Sequence, residues 1–196
     1  MPRPCLLLFL ASAALGAAAL PSFAHAQKSA KSAGPALLTL TGAIGRANRG
    51  PLDPALDQMM HKQKIQFDKA YTFDFDALLA LAPHSIEPTL EYDNRPHQLR
   101  GPSLTDVINT TGASPTDATR LLLRAVDGYA VTISVADARK YRFIVATHLD
   151  GRPMPLGGLG PLWAVYDADR FPEMRVKPVN ARFALCPWAL YHIEVA

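Results

Sequence analysis

From residue 121 to residue 166 apolar and polar positions follow the two-residue period of strands, broken at intervals by turn signals. Residues 121–126 form a short, largely apolar run, and Tyr129, Val131, Ile133 and Val135 alternate with Ala130, Thr132 and Ser134, the pattern of a strand buried on one side. Asp127-Gly128 between them tolerates the positive backbone angles of a two-residue hairpin turn, which predicts antiparallel pairing. Asp150-Gly151, after the apolar run 143–146, predicts a second turn. A glycine- and proline-rich loop over 153–161 leads to a returning strand at 162–166, with Trp163 and Tyr166 near the loop's exit. Together these segments predict a meander with one long loop.

The flanking sequence is less regular. Residues 36–41 read as a first strand, closed by Gly42 and Gly45. The Gly45 to Gly50 spacing is that of a phosphate-binding loop, but Pro51-Leu52 stands where Lys and then Ser or Thr are needed, so the segment reads as a turn. Residues 52–67 carry Leu56, Met59, Met60 and Ile65 among polar positions, a weakly helical or irregular insertion whose methionines cover the core. Asp74 or Asp76 caps a short helix through 77–81 that Pro83 ends. Residues 86–92 suggest a strand, confined to an edge or interrupted by Pro88. A polar loop with clustered cations follows over 93–100. Ser103 and Asp106 have capping-box spacing for a helix that buries Leu104, Val107 and Ile108 and stops at Gly112.

The first 26 residues are of another kind. Arg3 precedes an apolar, alanine-rich run over 6–20, and Ala24-His25-Ala26 is a small-x-small cleavage site, so 1–26 reads as a secretory signal peptide. The run is too short for a membrane span, and Cys5 lies before it, which disfavours a lipid anchor. Residues 27–35 then form a small, polar, flexible leader to one domain over 36–196, periplasmic or secreted. The full chain of 196 residues is 49% hydrophobic and 19% charged, enough for a sizeable core. Loss of Arg3 from 20 basic residues leaves a near balance with 17 acidic ones, without the basic cluster that nucleic-acid binding requires. Cys186 alone survives cleavage, so no internal disulfide holds the domain.

The segments GPSLTDVINTTGA, DGYAVTISVADA, ATHLDGRPM and GLGPLWAVY resemble, in order and spacing, the molybdopterin-binding domain of sulfite-oxidase-like proteins, in particular its small exported single-domain members. The likeness covers roughly residues 36–196, with an inserted segment near 46–70. It implies an α+β fold of mixed β-sheets with short helices. It also implies a cofactor cleft between the loop before the GPSLTDV helix and the loops flanking the GPLW strand. Catalytic members carry a molybdenum-ligating cysteine shortly before that helix, a soft ligand suited to the metal, but residues 89–100 contain none. Cys186 belongs by order to the final strand region and reads as a small buried hydrophobe. Trp163 stands where the resemblance implies an arginine.

Other chemistry finds no support. There is no Gly-x-Ser-x-Gly, and His61, His84, His97, His148 and His192 are dispersed without zinc-ligand spacing. Arg95, His97 and Arg100 lie where the implied cleft would be, able either to hold an anion or to decorate an exposed loop. Tyr129 and Trp163 either floor the cleft or complete the core, the core being favoured for Trp163. Two functions follow. The first is an exported non-redox binding or accessory protein with no cofactor or metal, taking a small anionic or phosphorylated ligand or an exported protein partner. The alternative is an oxidoreductase that holds molybdopterin without thiolate ligation, with Arg95, His97 and Arg100 on its phosphate.

Overall fold

The computed structural model describes Met1 and residues 34–196; the expected signal peptide, its cleavage site and most of the 27–35 leader lie outside the described residues. In chain order the elements are β1 (Leu38–Gly42), α1 (Gln58–Lys62), β2 (Tyr71–Phe73), α2 (Phe75–Leu79), β3 (Pro83–Ile86), β4 (Leu99–Pro102) and α3 (Leu104–Thr110). Then come β5 (Arg120–Ala125), β6 (Ala130–Ser134), α4 (Val135–Lys140), β7 (Ile144–Ala146), β8 (His148–Leu149), β9 (Arg152–Pro153) and β10 (Trp163–Val165). A 3-10 turn (Ala168–Arg170), α5 (Pro172–Arg175), α6 (Val179–Arg182) and β11 (Leu190–Val195) complete the chain. The architecture is α+β, mixed sheets with short helices, as expected. No helix among the described residues is long and apolar enough to cross a membrane.

The largest sheet runs β2-β1-β11-β5-β6, with β1 parallel to β11 and the other pairs antiparallel. Leu38 and Leu40 of β1, Leu121 and Leu123 of β5 and Ile193 of β11 bury one face in the main core. The inserted segment contributes a second, smaller cluster of Met60, Ile65 and Tyr191, and Gln63 accepts a 2.8 Å hydrogen bond from the Tyr191 hydroxyl. Only one of the two adjacent methionines covers core, since Met59 is exposed and Met60 buried.

The hairpin β5–β6 forms as its alternation predicts, but its turn differs. Arg124 pairs with Ala130 and Ala125 N donates to Tyr129 O at 2.8 Å, so Val126, Asp127 and Gly128 make a three-residue loop in which Gly128 alone of the three has a positive φ, 93°. The two-residue form occurs instead at the second Asp-Gly, where Leu149 pairs with Arg152 and Asp150 and Gly151 have φ of 48° and 78°. A continuous meander does not form. Ser134 ends β6 by accepting a 3.0 Å hydrogen bond from Asp137 N and caps α4, so Val135 belongs to a helix instead of the strand. That helix carries the chain out of the large sheet: β7 pairs with β10, and β8 and β9 join a separate sheet, β3-β4-β8-β9.

Two further boundaries move. The strand expected over 86–92 ends at Ile86, before Pro88, and runs back to Pro83 instead. The polar loop ends before Leu99, because Leu99 and Arg100 enter β4 and pair with β3 and β8. The two predicted caps hold: Asp74 accepts from Ala77 N at 2.8 Å, and Ser103 accepts from Asp106 N at 3.0 Å with Leu104, Val107 and Ile108 buried behind it.

Candidate functional site

The three cations grouped by sequence have different environments. His97 is a clip: its Nδ1 stands 2.7 Å from Asp150 Oδ2 and its Nε2 2.9 Å from Asp93 Oδ2. Asp150 also accepts from Gln98 N, and Asp93 from Arg95 N, so the loop's backbone and side chains close on one another. The Asp150 and then the Asp93 hydrogen bond raise His97 above the ordinary histidine value, and His97 lowers both carboxylates in return. This imidazolium already has two counter-charges. Arg95 is exposed on the same loop. Arg100 sits in β4 opposite Ser85 and His148, beside a hollow of about 240 Å³ whose walls include Leu78, Thr147 and His148 but neither Arg95 nor His97. Burial, and then Arg100, lower the basicity of His148.

In nuclear magnetic resonance titrations the two histidines should therefore separate, His97 with a midpoint above 6.5 and His148 below it. Asp150→Asn should bring His97 down. A folded pKa above the unfolded value means that the clip's stabilisation is present below pH 6.5 and fades as pH rises through the His97 midpoint. A His97 midpoint unmoved by Asp150→Asn would remove the clip.

A cleft lies between the loop before β4 and the loop before β10. Two adjoining hollows of about 230 and 320 Å³ share Tyr92 and Trp188 as walls. Glu91 and Tyr92 come from the loop before β4, and Gly157 to Leu159 from the loop before β10. Tyr129 lines the first of these hollows, 47% exposed, its hydroxyl donating to Ala184 O at 2.6 Å. Trp163 does not: at 1% exposure it lies in the core, its indole N–H donating to Cys186 O at 2.9 Å, which corrects its place on a cleft floor.

Cys186 itself lines the same hollow as Tyr92, which order along the chain did not reveal. It is 3% exposed, and burial pushes its thiol well above the ordinary range, so the neutral S–H is favoured. Burial first and the Glu91 carboxylate second push the Tyr92 hydroxyl up to about 12. Glu91 and Asp127 line the hollow, and among the described lining residues there is no arginine or lysine. Two carboxylates without a cation disfavour a phosphate, and a sulfur only 3% exposed offers a metal little access. The donor set thus does not fit a thiolate-ligated, phosphate-bearing pterin cofactor.

No protein-family model matches the chain, and no curated protein matches it. The crystal structure of the sulfane dehydrogenase SoxCD from Paracoccus pantotrophus superposes with a TM-score of 0.52 at 9% sequence identity. The match covers 81% of this chain and 37% of that one, so this chain spans well under half the length of that protein. At this identity the likeness concerns the fold, and it agrees with the α+β arrangement of mixed sheets and short helices.

Proposed function

We propose that this domain is an exported, non-redox binding or accessory protein, built on a fold that it shares with a dehydrogenase. The observation that carries this reading is the lining of the Tyr92–Trp188 cleft: Glu91 and Asp127 without a cation, above a sulfur only 3% exposed. Such a cleft favours neutral or cationic groups over a phosphate. The alternative is a molybdopterin-dependent oxidoreductase, and one observation favours it: Cys186 reaches this cleft from the far end of the chain. Its thiol would have to be exposed and ionised on loading, against the burial that holds it neutral.

Elemental analysis of protein purified from the exported fraction of its own host separates the two. Substoichiometric molybdenum, together with unchanged thermal stability of Cys186→Ser on adding molybdate and reductant, is expected. Stoichiometric molybdenum that disappears in Cys186→Ser would replace the binding reading with the redox one. Recovery of the chain only from the cell interior, with Met1 retained, would remove the word exported.

A further inference from the structure

A hollow larger than either part of the cleft lies away from it and has opposite character. It measures about 430 Å³, within the range of small-molecule sites, and is bounded by β3, the start of α3, the end of α4 and the 3-10 turn after β10. Its floor is apolar, made of Ile86, Phe143, Ala138 and Ile144, each no more than 9% exposed. Its rim carries Arg139, Arg142, Arg170 and His84 against a single carboxylate, Asp106. Hydroxyls of Ser85, Ser103 and Thr105 complete the wall.

The availability of these cations decides what the hollow does. Arg139 is engaged by Asp117, and His84 Nε2 stands 3.9 Å from Asp106. Arg170 is ion-paired with Asp167, but with Nε 3.8 Å from Oδ2 the pair makes no hydrogen bond, which leaves the guanidinium donors open to a ligand. Arg142 has no ion pair or side-chain hydrogen bond among the described residues. Its backbone is also left-handed. Phe143 N donates to Ala138 O and Arg142 N to Arg139 O, the paired bonds of a helix end that normally places glycine at the left-handed position. Arginine occupies that position here with φ 54°. Lys64 ends α1 with the same pair of bonds at φ 58°, so at both helix ends a cationic side chain stands where glycine would be less strained.

We infer that this hollow is a binding site for a small organic anion, a carboxylate or phosphate monoester with a compact apolar body, gripped by Arg142 and Arg170 over the Ile86–Phe143 floor. Each guanidinium presents a planar fork that matches two anionic oxygens, and the apolar floor takes the rest of the molecule. His84 and the Ser85 hydroxyl stand on the opposite wall. The site is independent of the Tyr92–Trp188 cleft and of whether that cleft holds anything.

Calorimetric titration of the purified protein at low salt with benzoate and with phenyl phosphate tests this, with benzyl alcohol as the neutral control. Saturable binding of at least one anion and none of the alcohol is expected. Arg142→Gly should weaken that binding about tenfold or more, while its thermal midpoint equals or exceeds that of the parent, because glycine suits the left-handed position. Arg170→Gln should weaken it too. Arg152→Ala removes the same charge from the exposed strand β9 and should leave the affinity within about twofold. No saturable binding of either anion, an affinity undiminished in Arg142→Gly or Arg170→Gln, or an equal loss in Arg152→Ala would each overturn the inference.

Discussion

Gly101→Ala should abolish or nearly abolish folding, a larger effect than substitution at the hairpin glycine Gly128. A Cβ at Gly101 would stand 1.9 Å from the Val145 carbonyl oxygen, 2.7 Å from its carbon and 2.9 Å from the Ala146 Cα. These are backbone atoms of β7, which cannot retreat. On one side β7 pairs with β10, and Thr147 N just beyond it donates to Arg100 O at 2.9 Å. Gly101 itself is held in β4 opposite His84. A forced separation opens two sheets at their junction, and a loss of about 4 kcal/mol or more belongs to the far tail of single substitutions. Domains of this size have roughly 5–15 kcal/mol in all. Gly128→Ala is the comparison: nothing lies within 4 Å of its Cβ position, so only the left-handed φ opposes it, at about 1–2 kcal/mol. Urea denaturation of the two variants should give a far lower midpoint for Gly101→Ala, and matching midpoints would contradict the close approach of β4 to β7.

Acid should unfold the protein earlier than its carboxylates alone require, through His192. This residue is fully buried in β11, with Nε2 3.0 Å from Thr41 Oγ1 and Nδ1 3.0 Å from Arg124 Nη1. Arginine can only donate, so Nδ1 accepts and Nε2 carries the proton that Thr41 receives. The neutral ring is therefore satisfied on both sides, and a second proton would face Arg124, itself paired with Glu194 at 2.9 Å. Burial first and Arg124 second push His192 down to about 3. The unfolded chain binds a proton near pH 6.5 and the folded one does not until about 3, so stability falls as pH drops through this window. The loss approaches roughly 4 kcal/mol at its acid end. His192→Gln should cost stability at pH 7 yet flatten the decline between pH 6.5 and 4. An unchanged slope in that variant would show that His192 is not the titrating group.

What was legible in the sequence was local. Asp74 and Ser103 are caps because short polar side chains accept from backbone N–H groups three residues on, a geometry written in spacing alone. The alternation around Val131 and Ile133 likewise states which face of a strand is buried. What failed was anything decided by partners distant in sequence. The meander dissolved at Ser134, although Ser134 and Asp137 carry the same three-residue spacing as Ser103 and Asp106, and reading that signal would have found α4. His97 looked like a free cation although Asp93, one half of its clamp, lies only four residues away; the other half, Asp150, lies 53 residues away. Cys186 reads from sequence as a small buried hydrophobe and is one, at 3% exposure in the main core, but only the folded sheets bring it beside Tyr92. Arg142 left no sequence signal of its own beyond the absence of glycine after a helix.

The parallel pairing of β1 with β11 has a kinetic consequence. Thr39 meets His192 and Leu40 meets Ile193 across some 150 residues of intervening chain, and β11 is the strand that joins β1 to β5. Closing so long a loop is slow, and until it closes two half-sheets, β2-β1 and β5-β6, present unpaired edges to their surroundings. A chain released into solution therefore passes through a state whose two largest apolar faces are formed but unjoined, the stage at which aggregation competes with folding. Refolding yield should fall with protein concentration more steeply than folded stability would suggest, and a peptide spanning β11 should be able to compete for the vacant slot in that interval.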